Sequence, residues 1–164
     1  MPRLATVQEH HQAQVHAESR RLMTAWMADL ARAARTGEPA ASLMISGNCV
    51  EILRAFDIHP MFPEVTALQM AIRKQSLPMI LSAEQLGYSG DNCAYVKADV
   101  GFMVSGGYGP NGTLPTPRLV LCNYVGCNVY IKWFEHTADY TGGRLFMLDV
   151  PFLRTDRPSD ADVR

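Results

Sequence analysis

Two apolar segments separated by one helix-like segment constrain the fold of this chain more than any other feature. Residues 118–124 (RLVLCNY) and 144–150 (RLFMLDV) are apolar at successive positions, which is typical of parallel strands covered on both faces. The helix predicted between them runs from residue 128 to about residue 140 and ends at a Gly-Gly pair. A strand, a helix and a second strand in this order form a right-handed βαβ unit. The sequence therefore predicts the α/β class, with a small parallel Rossmann-like sheet flanked by helices.

The N-terminal segment predicts one long helix over residues 7–36, because it contains no Gly or Pro and is rich in good helix formers. Its second half carries one apolar stripe with spacings of three and four, formed by Met23, Trp26, Met27, Leu30 and Ala34. The first half has only a thin stripe and is expected to extend into solvent or onto a partner chain, the alternative being that the stripe packs on this chain's own sheet. We therefore expect an N-terminal helical segment over 1–40, an α/β domain over 41–152 and a polar tail over 153–164.

Composition and charge argue against several classes of protein. Hydrophobic residues make up 48% of the 164 residues and charged residues 19%, as in ordinary globular proteins. The formal net charge of −1 argues against a nucleic-acid-binding surface and against a polybasic membrane anchor. No apolar run approaches the roughly 20 residues that span a bilayer. The N-terminus shows no signal-peptide hydrophobic region, so the expected compartment is the cytoplasm.

Two of the four cysteines lie where a reactive thiolate is expected. Cys93 falls in the first turn of a helix predicted over 92–104, and Cys127 lies between a predicted strand and the next helix. The N-terminus of a helix favours thiolate, the form that binds iron or attacks a substrate. Cys122 lies inside an apolar strand and is expected to be a buried thiol, while Cys49 is a secondary candidate. The alternative is that all four are core cysteines, since their spacing matches no zinc-ribbon or ferredoxin pattern.

A glycine motif at residues 107–112 and the histidines add little to the functional prediction. GYGPNG satisfies the G-x-G-x-x-G pattern of dinucleotide-binding loops, but that function requires a strand before the motif and a helix after it. Here TLPTP follows, which cannot open a long helix, so the sequence predicts a flexible loop. The five histidines show no spacing typical of a zinc site.

Four segments in a fixed order carry a resemblance to a known family. They are VEILRAFDIHPMFPE (50–64), GYSGDNCAYVKADVG (87–101), PRLVLCNYVGCNVYIKWFE (117–135) and LDVPF (148–152). Together they resemble the 2-hydroxyacyl-CoA dehydratase and benzoyl-CoA reductase family, over roughly residues 42–152. The resemblance implies that this chain corresponds to the N-terminal half of a subunit more than twice as long.

The resemblance also implies a cofactor and a set of site residues. Family subunits hold a [4Fe-4S] cluster through three cysteines, two of which match Cys93 and Cys127, while the third lies in a C-terminal domain that this chain lacks. Ser46 and Glu64 fall where the dehydratases place a serine and a glutamate near the cluster and the substrate. The implied roles are a hydrogen bond from Ser46 to the substrate, and acid–base or orienting chemistry by the Glu64 carboxylate.

The chemistry of the family implies a function for a larger assembly. An ATP-dependent activator with its own iron–sulfur cluster delivers one low-potential electron, and the acyl-CoA thioester becomes a ketyl radical. Dehydratases then release a β-proton and the 2-hydroxyl, whereas reductases dearomatise a benzoyl thioester. The chain is thus expected to work in a hetero-oligomer with a second subunit of the same family. Two alternatives stay open: a non-catalytic scaffold subunit that packs on a larger catalytic partner and has lost the cluster, and a cysteine-based small-molecule-binding domain without metal.

Overall fold

A four-stranded parallel sheet organises the part of this chain that the computed structural model describes, residues 7–44, 49–124, 127–149 and 159–160. Its strands are β1 (Ala40–Leu43), β2 (His59–Met61), β3 (Leu119–Tyr124) and β4 (Arg144–Asp149). They lie in the order β2-β1-β3-β4, and each neighbouring pair is parallel. The predicted α/β class with a small parallel sheet is therefore confirmed.

Helices connect the strands and determine which chain segments reach each edge of the sheet. They are α1 (Val7–Thr36), α2 (Val50–Ala55), α3 (Pro63–Ile72), α4 (Ser76–Gln85), α5 (Ala94–Phe102) and α6 (Asn128–Thr141). α2 connects β1 to β2, α3 to α5 lie between β2 and β3, and α6 completes the predicted βαβ unit with β3 and β4. The glycine motif at 107–112 leads into β3 and not into a helix, so it is a loop, as the sequence predicted.

The central strands β1 and β3 are buried because helices cover both faces of the sheet. Successive residues of a strand point to opposite faces. Cys122 lies in one buried cluster with Trp133 of α6, and its neighbour Leu121 lies in another with Leu53 of α2. Burial, with a smaller contribution from the charge of Glu135, raises the pKa of the Cys122 thiol to about 11. Cys122 is therefore the buried core thiol that the sequence predicted.

The two halves of α1 have different surroundings. Leu30, in the second half, lies in a buried cluster with Met61 of β2, and the indole N–H of Trp26 donates to the carbonyl oxygen of Pro60 at 3.0 Å. Residues 11–22, in the first half, are exposed. The second half of α1 thus covers this chain's own sheet.

None of the described helices has both the length and the apolarity needed to cross a membrane.

β4 corrects one expectation. The sequence predicts a second buried strand over 144–150, and the structure shows a strand over Arg144–Asp149, while residue 150 lies outside the described residues. The side chains of β4 are exposed from Leu145 to Leu148, and Phe146 is 56% exposed. Within the described residues β4 pairs with β3 alone and forms an edge of the sheet. The prediction that this strand is buried was therefore wrong. Apolar residues on both faces show that a strand can be buried, but they do not show whether another element of this chain covers it.

Candidate functional site

The carboxyl ends of the parallel strands bring distant segments of the chain to one edge of the sheet, where α/β proteins commonly build their sites. β2 ends at Met61, and Glu64 follows in the first turn of α3. β3 ends at Tyr124, and Cys127 immediately precedes α6. Ser46, which follows β1 in the sequence, lies outside the described residues. Topology thus places Glu64 and Cys127 at the same edge.

Cys93 reaches the site from another part of the chain, the N-terminus of α5. It immediately precedes the helix and does not lie inside the first turn as predicted, and its backbone N–H donates to Oδ1 of Asn92 at 2.8 Å.

Lys97, one turn into α5, stabilises the turn that precedes Cys93. Its Nζ donates to the carbonyl oxygen of Gly90 at 2.6 Å and to Oε1 of Glu84 at 2.7 Å. Lys97 is only 4% exposed, which its sequence position did not reveal because lysine is normally a surface residue.

Cys93 and Cys127 line the same small cavity, of about 150 Å³. Both side chains are exposed, although the two residues lie 34 positions apart in the sequence. Glu64 of α3 lines the same cavity. The other lining residues are aromatic or aliphatic side chains of α5 and α6, namely Tyr95, Val96, Val129, Tyr130 and Trp133. The structure therefore brings together three of the four predicted site residues, two thiols and one carboxylate.

Tyr130 connects the carboxylate of the site to α6. Its hydroxyl donates to Oε2 of Glu64 at 2.6 Å, and its ring stacks on Trp133 with centroids 5.8 Å apart and planes 19° apart. Burial raises the pKa of the Tyr130 hydroxyl, and the hydrogen bond to Glu64, the charge of Glu64 and the nearby Cys127 and Cys93 raise it further. Sequence reasoning missed Tyr130. The available signal was its position three residues after Cys127, which places both on one side of a helix.

A fully buried carboxylate, Asp99 of α5, lies behind these aromatic rings. Its Oδ2 accepts a hydrogen bond from Nε1 of Trp133, and its Oδ1 accepts one from the hydroxyl of Tyr108, both at 2.8 Å. Burial raises the pKa of Asp99 to about 6, and the two hydrogen bonds oppose this shift. Sequence reasoning missed Asp99 as well. The available signal was an acidic residue between apolar residues of a helix, which indicates that its carboxylate does not lie on a solvent-exposed face.

The donor set fits part of an iron–sulfur site. Such clusters are held mainly by cysteine thiolates, and two exposed thiols here share one cavity. Across residues 7–44, 49–124, 127–149 and 159–160, no group of three or more His, Cys, Asp or Glu side chains lies close enough together to hold a metal ion. A cluster held by Cys93 and Cys127 would need its other ligands from outside the described residues.

Comparison with known protein families gives one match that covers most of the chain. The family model described as "2-hydroxyglutaryl-CoA dehydratase, D-component" matches residues 46–164. The matched region contains Glu64, Cys93 and Cys127, whereas α1 and β1 precede it.

Curated relatives give the same result. A benzoyl-CoA reductase subunit of Thauera aromatica is 41% identical over 118 residues, which cover 71% of this chain and 27% of the relative. The alpha subunit of (R)-2-hydroxyisocaproyl-CoA dehydratase of Clostridioides difficile is 33% identical over 113 residues, 69% of this chain and 28% of the relative. The alpha subunit of (R)-phenyllactyl-CoA dehydratase of Clostridium sporogenes is 31% identical over 102 residues, 62% of this chain and 25% of the relative. The chain thus spans about a quarter of the length of these relatives. The resemblance seen in the sequence is confirmed, and the chain belongs to the 2-hydroxyglutaryl-CoA dehydratase D-component family.

Proposed function

We propose that this chain is part of an acyl-CoA dehydratase or reductase subunit in which Cys93 and Cys127 are two ligands of a [4Fe-4S] cluster. The observation that carries the proposal is the shared cavity, because two thiols that precede different helices line it together with the Glu64 carboxylate. The names of the relatives support a CoA thioester as the substrate class.

The residues of the site have distinct roles in this proposal. A bound cluster supplies one-electron chemistry at low potential. Glu64, at the cavity wall, exchanges a proton with the substrate or orients it. For Ser46, the family resemblance supports a hydrogen bond to the substrate. Val96, Val129 and Trp133 give the cavity a mainly apolar lining, which strengthens electrostatic interactions with a bound substrate.

The described residues alone do not complete the site in this proposal. Further cluster ligands come from outside the described residues, a second subunit of the same family completes the complex, and an ATP-dependent activator delivers the electron. The relatives are named as subunits, which supports a partner of the same kind.

Iron analysis of the chain together with its natural partners tests the cluster. The tagged full chain is purified under strict anaerobiosis from its own source cells, and iron and acid-labile sulfide are measured per chain. Cys93→Ser and Cys127→Ser should each lose most of the iron, because each removes a thiolate ligand. Cys49→Ser is the matched control, since Cys49 is a free thiol at the start of another helix and does not line the cavity. It should retain the wild-type iron content.

Two results would contradict the proposal. One is wild-type material without iron or sulfide when the partner subunits are present. The other is an equal loss of iron in the Cys49→Ser control, because the loss would then follow from general destabilisation and not from ligand removal.

A scaffold function is the second candidate, and one surface favours it. A groove of about 770 Å³ runs along the exposed half of α1 and is mainly apolar. Its lining includes Val15, Leu22 and Trp26 of α1, with Phe62 and Val65 at the start of α3. An apolar groove beside a helix suits packing against a partner. In this case Cys93→Ser leaves the activity of the purified complex unchanged, whereas the cluster proposal requires a loss.

A further inference from the structure

Glu64 is the carboxylate of the proposed site, and its position depends on a residue from another element. Glu64 lies half-buried in the first turn of α3, and Tyr130 lies half-buried in the first turn of α6. The Tyr130 hydroxyl donates to Oε2 of Glu64 at 2.6 Å, although the two residues are 66 positions apart. A hydrogen bond to an ionised carboxylate is shorter and stronger than one between neutral groups. It therefore limits the directions in which the flexible Glu64 side chain can point.

The hydrogen-bond donor, Tyr130, is itself held in place by its neighbours. The Tyr130 ring stacks on Trp133, and Trp133 is 3% exposed and donates its indole N–H to the buried Asp99 at 2.8 Å. Asp99 also accepts from Tyr108, which anchors the carboxylate from a second direction. A rotamer change of Tyr130 would break both the ring stacking and the hydrogen bond to Glu64. The phenol ring of Tyr130 thus has a rigid support. A residue that positions a reacting group needs such support.

We propose that Tyr130 is a positioning residue that holds the Glu64 carboxylate at the wall of the cavity shared by Cys93 and Cys127. The inference rests on the proposed function, because it takes Glu64 as the group that exchanges a proton with the substrate or orients it. Tyr130 acts through Glu64 and is not assigned a contact with iron. Loss of its hydroxyl leaves the carboxylate in the cavity wall and widens the range of its orientations. The productive geometry is then populated for a smaller fraction of the time.

The first part of the test uses the full 164-residue chain and does not depend on iron or activity. Urea unfolding midpoints are measured for wild type, Tyr130→Phe, Glu64→Gln and the double variant. Tyr130→Phe keeps the ring that stacks on Trp133 and removes only the donor. Each single variant should lower the midpoint, and the double variant should lower it by less than the sum of the two. Additive shifts would show that the two side chains are not coupled and would overturn the proposal.

The second part uses the anaerobically purified complex. Tyr130→Phe should lower kcat by about 10- to 100-fold, with KM for the thioester changed by less than about twofold and with wild-type iron content. Tyr140→Phe is the matched control, because Tyr140 lies on the same helix and is 52% exposed. It should leave kcat, KM and iron unchanged. An unchanged kcat in Tyr130→Phe, or a loss of iron as large as in Cys93→Ser, would overturn a positioning role.

Failure of this inference and failure of the proposed function give different results. If the wild-type complex contains no iron, the cluster proposal fails and the inference about catalysis fails with it, whatever the unfolding data show. If the complex contains iron and is active but the midpoints are additive, the positioning role alone fails.

Discussion

Replacing Asp99 with Asn tests how the buried carboxylate behind the cavity affects stability. Burial raises the pKa of Asp99 in the folded chain to about 6, against an ordinary value of 3.8. Between these two pH values the folded chain binds a proton that the unfolded chain has released. The free energy of unfolding therefore falls as the pH rises through this range. A difference of about two pKa units corresponds to roughly 3 kcal/mol, so ionised Asp99 lowers the stability at neutral pH by about that amount relative to strong acid.

Urea unfolding of the full chain, followed by far-ultraviolet circular dichroism from pH 4.5 to 7.5, measures this effect. Part of the change lies below pH 4.5, so Asp99 should make wild type about 2 kcal/mol more stable at pH 4.5 than at pH 7.5. Asp99→Asn should remove this contribution, because the amide cannot ionise while its oxygen can still accept from Trp133. Asp139→Asn, an exposed carboxylate on α6, is the control and should keep the wild-type pH dependence.

Parallel pH dependence of wild type and Asp99→Asn would refute the reasoning, because it would mean that burial does not raise the pKa of Asp99.

The lower limit of pH 4.5 keeps the opposing effect of Glu38 on stability largely outside the measured range. Hydrogen bonds from Thr36, Arg32 and His59 lower the pKa of the Glu38 carboxyl to about 2. The stability that Glu38 contributes is present above its ordinary pKa of 4.5 and is lost as the pH falls toward 2.

Three further predictions concern the ion pair behind Cys93, the exposed edge strand and the thiols. Lys97→Met should lower the free energy of unfolding by roughly 2–4 kcal/mol, because it removes a buried donor to Glu84 and to a backbone carbonyl, and urea unfolding measures it. The isolated chain should self-associate through its exposed edge strand β4, and Phe146→Lys should reduce this association in analytical ultracentrifugation, since a charge on an exposed edge strand opposes strand pairing. Iodoacetamide should label Cys127 of the iron-free chain well before Cys122, because Cys122 is buried and its pKa is raised to about 11. Peptide mapping by mass spectrometry follows both thiols.

Each of these predictions has a control or an outcome against it. Lys132→Met removes an exposed pair with Glu135 and should change the free energy of unfolding by less than about 1 kcal/mol. A similar loss in Lys97→Met and Lys132→Met would contradict the buried role of Lys97. Unchanged self-association in Phe146→Lys would show that β4 is not the contact surface, and equal labelling rates would contradict the burial of Cys122.

Sequence reasoning predicted what depends on local pattern. The apolar run before Cys127 gave β3, and the position of Cys122 within that run predicted a buried thiol. The same reasoning failed at β4, because a strand's own residues do not show whether another element covers it. Cys93 was predicted to lie inside the first helical turn, and it lies just before the helix. The exact residue at which a helix begins depends on the capping geometry.

The sequence by itself determined the α/β class, the βαβ unit formed by β3, α6 and β4, and the family, because apolar runs, turn residues and ordered motifs are properties of neighbouring residues. Only the tertiary structure decided that Cys93, Cys127 and Glu64 line one cavity and that Tyr130 reaches Glu64. These contacts join three helices that follow different segments of the chain. Their geometry depends on how α3, α5 and α6 pack at the edge of the sheet, and side-chain packing between elements distant in sequence leaves no local pattern from which it could be predicted.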